Sequence, residues 1–181
     1  MRCNYKYLKK KMFKEFLEKC NIAIILIPLI GSIIFNQNMN NEKTKKTFLQ
    51  PPGYVFGIVW TILYLLLGVF IWLLIQNKNV EPHFWYILIT YVINLSINYM
   101  WTTVVFKSKL EKIGVYMLTI LLGTTIFMTV LTENKLHASI LVPYMTWLLF
   151  ALLLNIELLR SSSTQIKENK SNLKKTVKFN I

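Results

Sequence analysis

Five stretches of the chain are apolar almost throughout, and the polar positions gather between them. The apolar runs lie near residues 20–36, 53–76, 84–106, 113–132 and 138–159. Each is long enough, or nearly so, to cross a hydrocarbon core of roughly 30 Å at about 1.5 Å per helical residue. The connections "NQNMNNEKTKKTFLQ", "NKNVEPH", "KSKLEK" and "ENKLH" are polar and mostly short. Short links make successive spans antiparallel neighbours in one bundle. The pattern therefore predicts an all-α integral membrane protein, a five-transmembrane-helix bundle over residues 20–160. A basic segment at 1–19 and a basic polar tail at 161–181 flank it. The first run is the weakest, with Pro28 inside it, but neighbouring helices can satisfy the carbonyl that a proline frees. About twenty residues precede that run and "GSIIFNQNMN" offers no small-x-small cleavage site, so the helix is expected to stay in the mature protein.

Composition agrees with the pattern. Of 181 residues 54% are hydrophobic and only 16% charged, with a mean hydropathy of +0.44. Soluble domains lie nearer one half apolar and about a quarter charged. Charge also suggests an orientation. With five spans, the first and third loops share a side with the C-terminal tail. They hold Lys43, Lys45, Lys46, Lys107, Lys109 and Lys112, against Lys78 and Lys135 in the second and fourth loops, and the tail adds Arg160 and five lysines. That excess favours a cytoplasmic C-terminus. The basic start "MRCNYKYLKKKMFKEFLEKC" pulls the other way; it reads as an amphipathic helix on an anionic membrane surface, with no nucleic-acid role.

The spans carry little acid–base chemistry. Cys3 and Cys20 have no metal or redox spacing, and His83 and His137 fall at the ends of spans. No ionisable residue lies in the inner part of any span, Glu157 being near the end of the fifth. A carboxylate relay, a metal hydrolase and a Ser-His-Asp arrangement each need titratable groups in one pocket, so no metal site and no catalytic set is expected. What the spans do hold is aromatic and amide residues in helical register. Phe56, Trp60 and Tyr64 follow steps of four, and Tyr91, Asn94, Asn98 and Trp101 follow steps of three, four and three. In the fifth span Tyr144, Trp147, Ala151 and Asn155 share a face.

Asparagine facing lipid is costly, so these faces should point into the bundle, where helix packing and an interfacial aromatic belt are one reading. Rise per residue favours another. Counted from the loop-one surface, Trp60 lies roughly 10 Å deep, Asn98 about 12 Å, Asn94 about 18 Å and Trp147 about 20 Å, too deep for a belt. One cavity opening toward loop one would suit a flat, partly polar aromatic ligand stacked between rings and oriented by amides.

At these residues the chain resembles the TspO/MBR family, the translocator proteins, tryptophan-rich sensory proteins and peripheral-type benzodiazepine receptors. The family signature K-P-x-W-x-P-P-x-W-x-F-G-P-V-W-T-x-L-Y is matched by Lys46, Pro51, Pro52, Phe56, Gly57, Val59, Trp60, Thr61, Leu63 and Tyr64. The third span matches with Asn94, Leu95, Asn98 and Trp101, and the fifth with Pro143, Tyr144, Trp147, Phe150, Ala151, Leu154 and Asn155. The resemblance covers residues 22 to 160. Two features depart from the pattern. Where the family has K-P-x-W, loop one reads Lys46, Thr47, Phe48 and Leu49, so a Pro and a Trp of the expected lid are missing. Asn155 is followed by Ile156 rather than the Tyr of the vertebrate cholesterol-recognition pattern, so no sterol binding is assigned.

The resemblance implies a homodimer of five-helix bundles that binds tetrapyrroles, porphyrins above all, and synthetic aromatic ligands under loop one. Ligand contacts are expected from Phe56, Trp60, Tyr64, Tyr91, Asn94, Asn98, Trp101, Tyr144, Trp147 and Ala151. No cofactor is required, porphyrin being ligand. Some bacterial relatives are said to degrade porphyrin in light through two tryptophans, which correspond to Trp60 and Trp147. The expected role is a receptor or sensor in tetrapyrrole or oxidative-stress regulation. Two alternatives are a transporter of porphyrins, sterols or other apolar solutes, and a structural partner in a membrane complex. A bacterial inner membrane and a mitochondrial outer membrane fit the chain equally.

Overall fold

A computed structural model describes residues 22–36, 51–108 and 111–179. The expected surface helix at 1–19 and the loop-one lid lie outside them. Among the described residues six helices follow one another: α1 (Ile22–Asn36), α2 (Gly53–Gln76), α3 (Phe84–Ser108), α4 (Glu111–Leu131), the single-turn α5 (Lys135–Ser139) and α6 (Val142–Phe179). No strand occurs among the described residues. Three helical stretches, Gly53–Gln76, Lys112–Leu131 and Lys135–Ser161, are long and apolar enough to cross a membrane, and Ile22–Ile34 is a shorter apolar helix. The 25-residue α3 is long enough too, but Asn94 and Asn98 lower its apolarity.

Local chemistry sets the helix ends. Pro52, at φ −54° and ψ 144°, stands just before α2 and its carbonyl accepts the Val55 N–H at 2.9 Å. A proline costs little at such a start because its missing N–H would have no helical partner there. At the other end the Asn77 side chain donates to the Leu73 carbonyl at 2.8 Å and the backbone turns through Val80. Asn134 caps α5 by accepting from the Leu136 and His137 N–H groups. The fifth apolar run, expected as one span from 138, is thus divided by a turn at residues 140–141. Pro143 accounts for the division: it has no N–H to return to the Ser139 carbonyl, so a continuous helix would lose a bond there. At its far end α6 passes the expected limit at 159 and continues helical to Phe179.

The helices form a ring. The helix α1 packs against α2 and α3, α3 packs against α4, and α4 against α6. Ring contacts of Phe56 and Trp60 with Trp147 join α2 to α6. Two close approaches fix α1. Gly68 of α2 is buried against the backbone of Ile25, where a Cβ would overlap the Ile25 carbonyl oxygen. The Tyr99 hydroxyl of α3 donates to the Pro28 carbonyl at 2.7 Å, passing beside Gly31.

Polarity runs inside out relative to a soluble bundle. Ile27, Ile30, Ile34, Ile58, Ile62, Ile89, Val92, Ile120, Phe127, Val130, Leu149 and Leu153 are all exposed, whereas Asn94, Asn98, Thr125 and Asn155 are buried. An apolar perimeter of this extent is stable only against lipid, and amides are sheltered where they can pair.

Candidate functional site

The stripes expected to face inward do so, and they build two layers. The lower layer is a chain of hydrogen bonds through the centre of the bundle. Tyr64 on α2 donates to Asn98 Oδ1 at 2.6 Å, and Asn98 Nδ2 donates to the Tyr144 hydroxyl at 2.7 Å. Tyr144 on α6 in turn donates to Asn94 Oδ1 at 3.0 Å. Asn94 Nδ2 then reaches α4, at the Thr124 hydroxyl (2.7 Å), the Leu121 carbonyl (3.0 Å) and the Thr125 hydroxyl (3.1 Å). Each donor finds an acceptor, so four helices are tied together without leaving a polar group bare in an apolar interior. All four linking side chains are buried, Tyr144 completely.

The upper layer is a cluster of rings centred on Trp60. It stacks on Tyr64 with centroids 5.6 Å apart, and meets Trp101 at 6.3 Å and both Tyr144 and Trp147 at 6.5 Å. Trp147 in turn contacts Phe56 at 5.5 Å and Phe150 at 5.2 Å. Burial is graded across the cluster. Tyr64, Trp101 and Tyr144 are buried, while Phe56, Trp60, Trp147 and Phe150 are half-buried toward the end from which α2 begins. The Trp147 indole Nε1 is shielded from solvent yet has no hydrogen-bond partner among the described residues. A buried donor left bare is costly, and an acceptor brought in by a ligand would relieve it.

Several expectations change in detail. Trp60 and Trp147 were placed about 10 Å apart in depth by rise per residue, but their rings touch. The estimate took residue 159 as the membrane end of the span, whereas a Trp147 level with Trp60, seven residues inside the start of α2, puts that level near residue 154, so the origin of the count lies nearer to Trp147 and α6 runs on past it. The edge-on geometry of the pair, with planes at 90°, also leaves no slot between the two indoles. A ligand stacked between them would need parallel planes roughly 7 Å apart, two aromatic contact distances. Asn94 and Asn98 already have partners in the lower layer, so a ligand would meet them only by taking over one of those bonds. Tyr91 lies away from the cluster: its hydroxyl donates to the Leu67 carbonyl at 3.2 Å and its ring faces Phe70 at 6.3 Å. Ala151, one turn beyond Trp147, is buried, and its carbonyl accepts from Asn155 Nδ2 at 2.9 Å.

Two contributors escaped the sequence reading of the site. Phe150 is three residues from Trp147, a helical neighbour that the spacing could have supplied. Tyr99 contacts Tyr64 at 5.9 Å while its hydroxyl holds α1. No periodic signal marks it, because it lies on a different face from Asn98. Among the described residues no group of His, Cys, Asp or Glu side chains could hold a metal ion.

A ring of apolar helices closed over buried amides and aromatics is an integral, multi-pass membrane protein. Within that class the chain belongs to the TspO/MBR family, whose model matches residues 20–160. It is similar to the Tryptophan-rich protein TspO of Archaeoglobus fulgidus, at 28% identity over 141 residues, covering 74% of this chain and 88% of that protein. A second relative, the Tryptophan-rich protein TspO of Bacillus cereus, is 24% identical over 145 residues, covering 75% of this chain and 92% of its own length. Membership supports a membrane sensor, receptor or transporter of the TspO kind.

Proposed function

We propose that this protein is a membrane receptor that holds a flat aromatic ligand, a tetrapyrrole in the first instance, at the Trp60–Trp147 ring cluster. The observation that carries the reading is the Trp147 indole N–H, buried without a partner among the described residues, inside a half-buried aromatic cluster. Ring faces supply stacking and the indole supplies one directed hydrogen bond, which together suit a planar ligand with acceptor groups at its edge. Because the two indoles meet edge to face, binding would begin on the outer faces of Phe56, Trp60 and Trp147, or would swing the Trp147 ring to open a slot. The lower layer favours a receptor over a through-path. Tyr64, Asn98 and Tyr144 close the floor of the cluster with direct hydrogen bonds, and a solute crossing the bundle would have to break them.

The test is a titration of the purified protein with free-base protoporphyrin, read by quenching of tryptophan emission, alongside Trp60→Ala, Trp147→Ala and Trp147→Phe variants. Saturable binding that both Ala variants weaken by about fivefold or more is expected, since losing aromatic burial costs about 1–3 kcal/mol. Unchanged affinity in the double Ala variant would remove the site. Net flux into sealed vesicles would favour the transporter reading instead.

A further inference from the structure

A second side-chain atom shares the condition of the Trp147 indole N–H. Oε2 of Glu157 on α6 is shielded from solvent and has no hydrogen-bond partner among the described residues, although the residue as a whole is half-buried. A carboxylate oxygen taken out of water without a donor is costlier than a bare indole, because it carries charge. The two atoms are also opposite in kind. Trp147 Nε1 can only donate, and an ionised carboxylate can only accept.

Their places on α6 relate them to one site. At about 100° and 1.5 Å per residue, Glu157 lies within about 20° of Phe150 around the axis and roughly 10 Å beyond it. Phe150 touches Trp147 at 5.2 Å, and Trp147 touches Phe56 at 5.5 Å. The ring cluster therefore runs along one edge of α6 toward Glu157. Trp147 is level with Trp60, so the start of α2 lies near the level of residue 154 and Glu157 stands about 5 Å past it. Leu153, about 40° further round the helix, is exposed. Glu157 thus occupies the border between the inward and lipid-facing sides of α6, at the loop-one end of the bundle.

The chemistry of the missing partner follows. Among the described residues no group of side chains could hold a metal ion, and a lone carboxylate leaves a divalent cation mostly hydrated. An anion would be repelled. A carboxylate set beyond a row of rings suits a protonated amine joined to an aromatic body. In a bilayer such a molecule keeps its ring in hydrocarbon and its ammonium in the headgroup layer, the order in which Phe150 and Glu157 follow along α6.

We propose that Glu157 selects cationic ligands for the ring cluster. The aromatic body rests on Phe56, Trp147 and Phe150, and a protonated amine on an arm spanning the roughly 10 Å from Phe150 donates to Glu157 Oε2. This rests on the receptor reading above and adds the charge of the ligand to it.

The test uses the full chain in an uncharged detergent and three forms of one macrocycle: protoporphyrin dimethyl ester, the free diacid, and the diamide formed with ethylenediamine, which ends in two ammonium groups. Quenching of tryptophan emission gives each affinity, at high salt so that exposed lysines are screened. The diamide is expected to bind about tenfold or more tightly than the ester, the size of a charge-assisted hydrogen bond, and the diacid more weakly than the ester. Glu157→Gln should bring the diamide to the affinity of the ester, and Glu157→Asp should keep part of the difference. A diacid that binds the unaltered protein as tightly as the diamide would overturn the proposal without any variant. A diamide advantage that survives Glu157→Gln would also overturn it. So would an advantage that appears only in Arg160→Gln, which would assign Glu157 to the arginine one turn on. If none of the three forms quenches the emission, the receptor reading fails and this selectivity with it; binding of the ester with no effect at position 157 removes the selectivity alone.

Discussion

Removing one oxygen from the centre of the bundle measures what the buried amide chain contributes. Tyr144→Phe keeps the ring and deletes the hydroxyl that accepts from Asn98 at 2.7 Å and donates to Asn94 at 3.0 Å. Two buried polar atoms, Asn98 Nδ2 and Asn94 Oδ1, then face apolar surroundings with no water near, since Tyr144 is fully buried. A bond between membrane helices averages about 0.6 kcal/mol, so two give a floor of about 1.2 kcal/mol. Leaving a buried partner unsatisfied costs about 1–3 kcal/mol, which raises the expected loss to about 2 kcal/mol or more. Tyr91→Phe is the internal standard. It deletes one longer bond, at 3.2 Å, to a backbone carbonyl inside α2 that keeps its helical partner, so its cost should be at most about 0.6 kcal/mol. Equilibrium unfolding in mixed micelles of mild detergent and dodecyl sulfate, followed by circular dichroism, gives both values on one scale. If Tyr144→Phe costs no more than Tyr91→Phe, the chain is not a stabilising unit and the floor assigned to the ring cluster fails with it.

Other outcomes can be checked separately. Gly68→Ala places a methyl on the Ile25 carbonyl and should force α1 from α2, at about 1–3 kcal/mol in the same unfolding assay, while leaving the Trp60 cluster formed. Trp147→Phe should weaken porphyrins with edge acceptors more than a purely hydrocarbon aromatic such as pyrene, because it removes the bare N–H and keeps most of the ring; equal losses would assign the effect to stacking alone. Asn94→Leu should lower stability through the lost amide donations to α4, and polar and apolar ligands should then weaken alike; selective loss of polar ligands would show that the amide reaches the ligand after all. Cysteine labelling in intact cells should reach loop one and the C-terminal extension from the same face, and labelling from opposite faces would remove the five-span topology.

The positions of the apolar runs were legible in the sequence because a bilayer imposes one rule on every spanning residue, and the observed helices begin and end within a few residues of those runs except in the fifth. The inward faces were legible for a related reason: Asn94, Asn98 and the aromatic stripes recur at helical spacing, and lipid does not tolerate amides. Helical spacing carries no information on the partner across the bundle. Only the tertiary structure decided that Asn98 sits between Tyr64 and Tyr144, that Asn94 reaches Thr124 and Thr125, and that Tyr91 turns to Leu67 and Phe70 instead of joining the cluster. It also decided the depth of Trp147. A count along one helix needs an origin, and the origin for α6 is set by its sliding register against α2, where Phe56 and Trp60 meet it. Sequence spacing fixes angles around an axis, but relative heights of two helices come from packing between them, which no single run of residues contains.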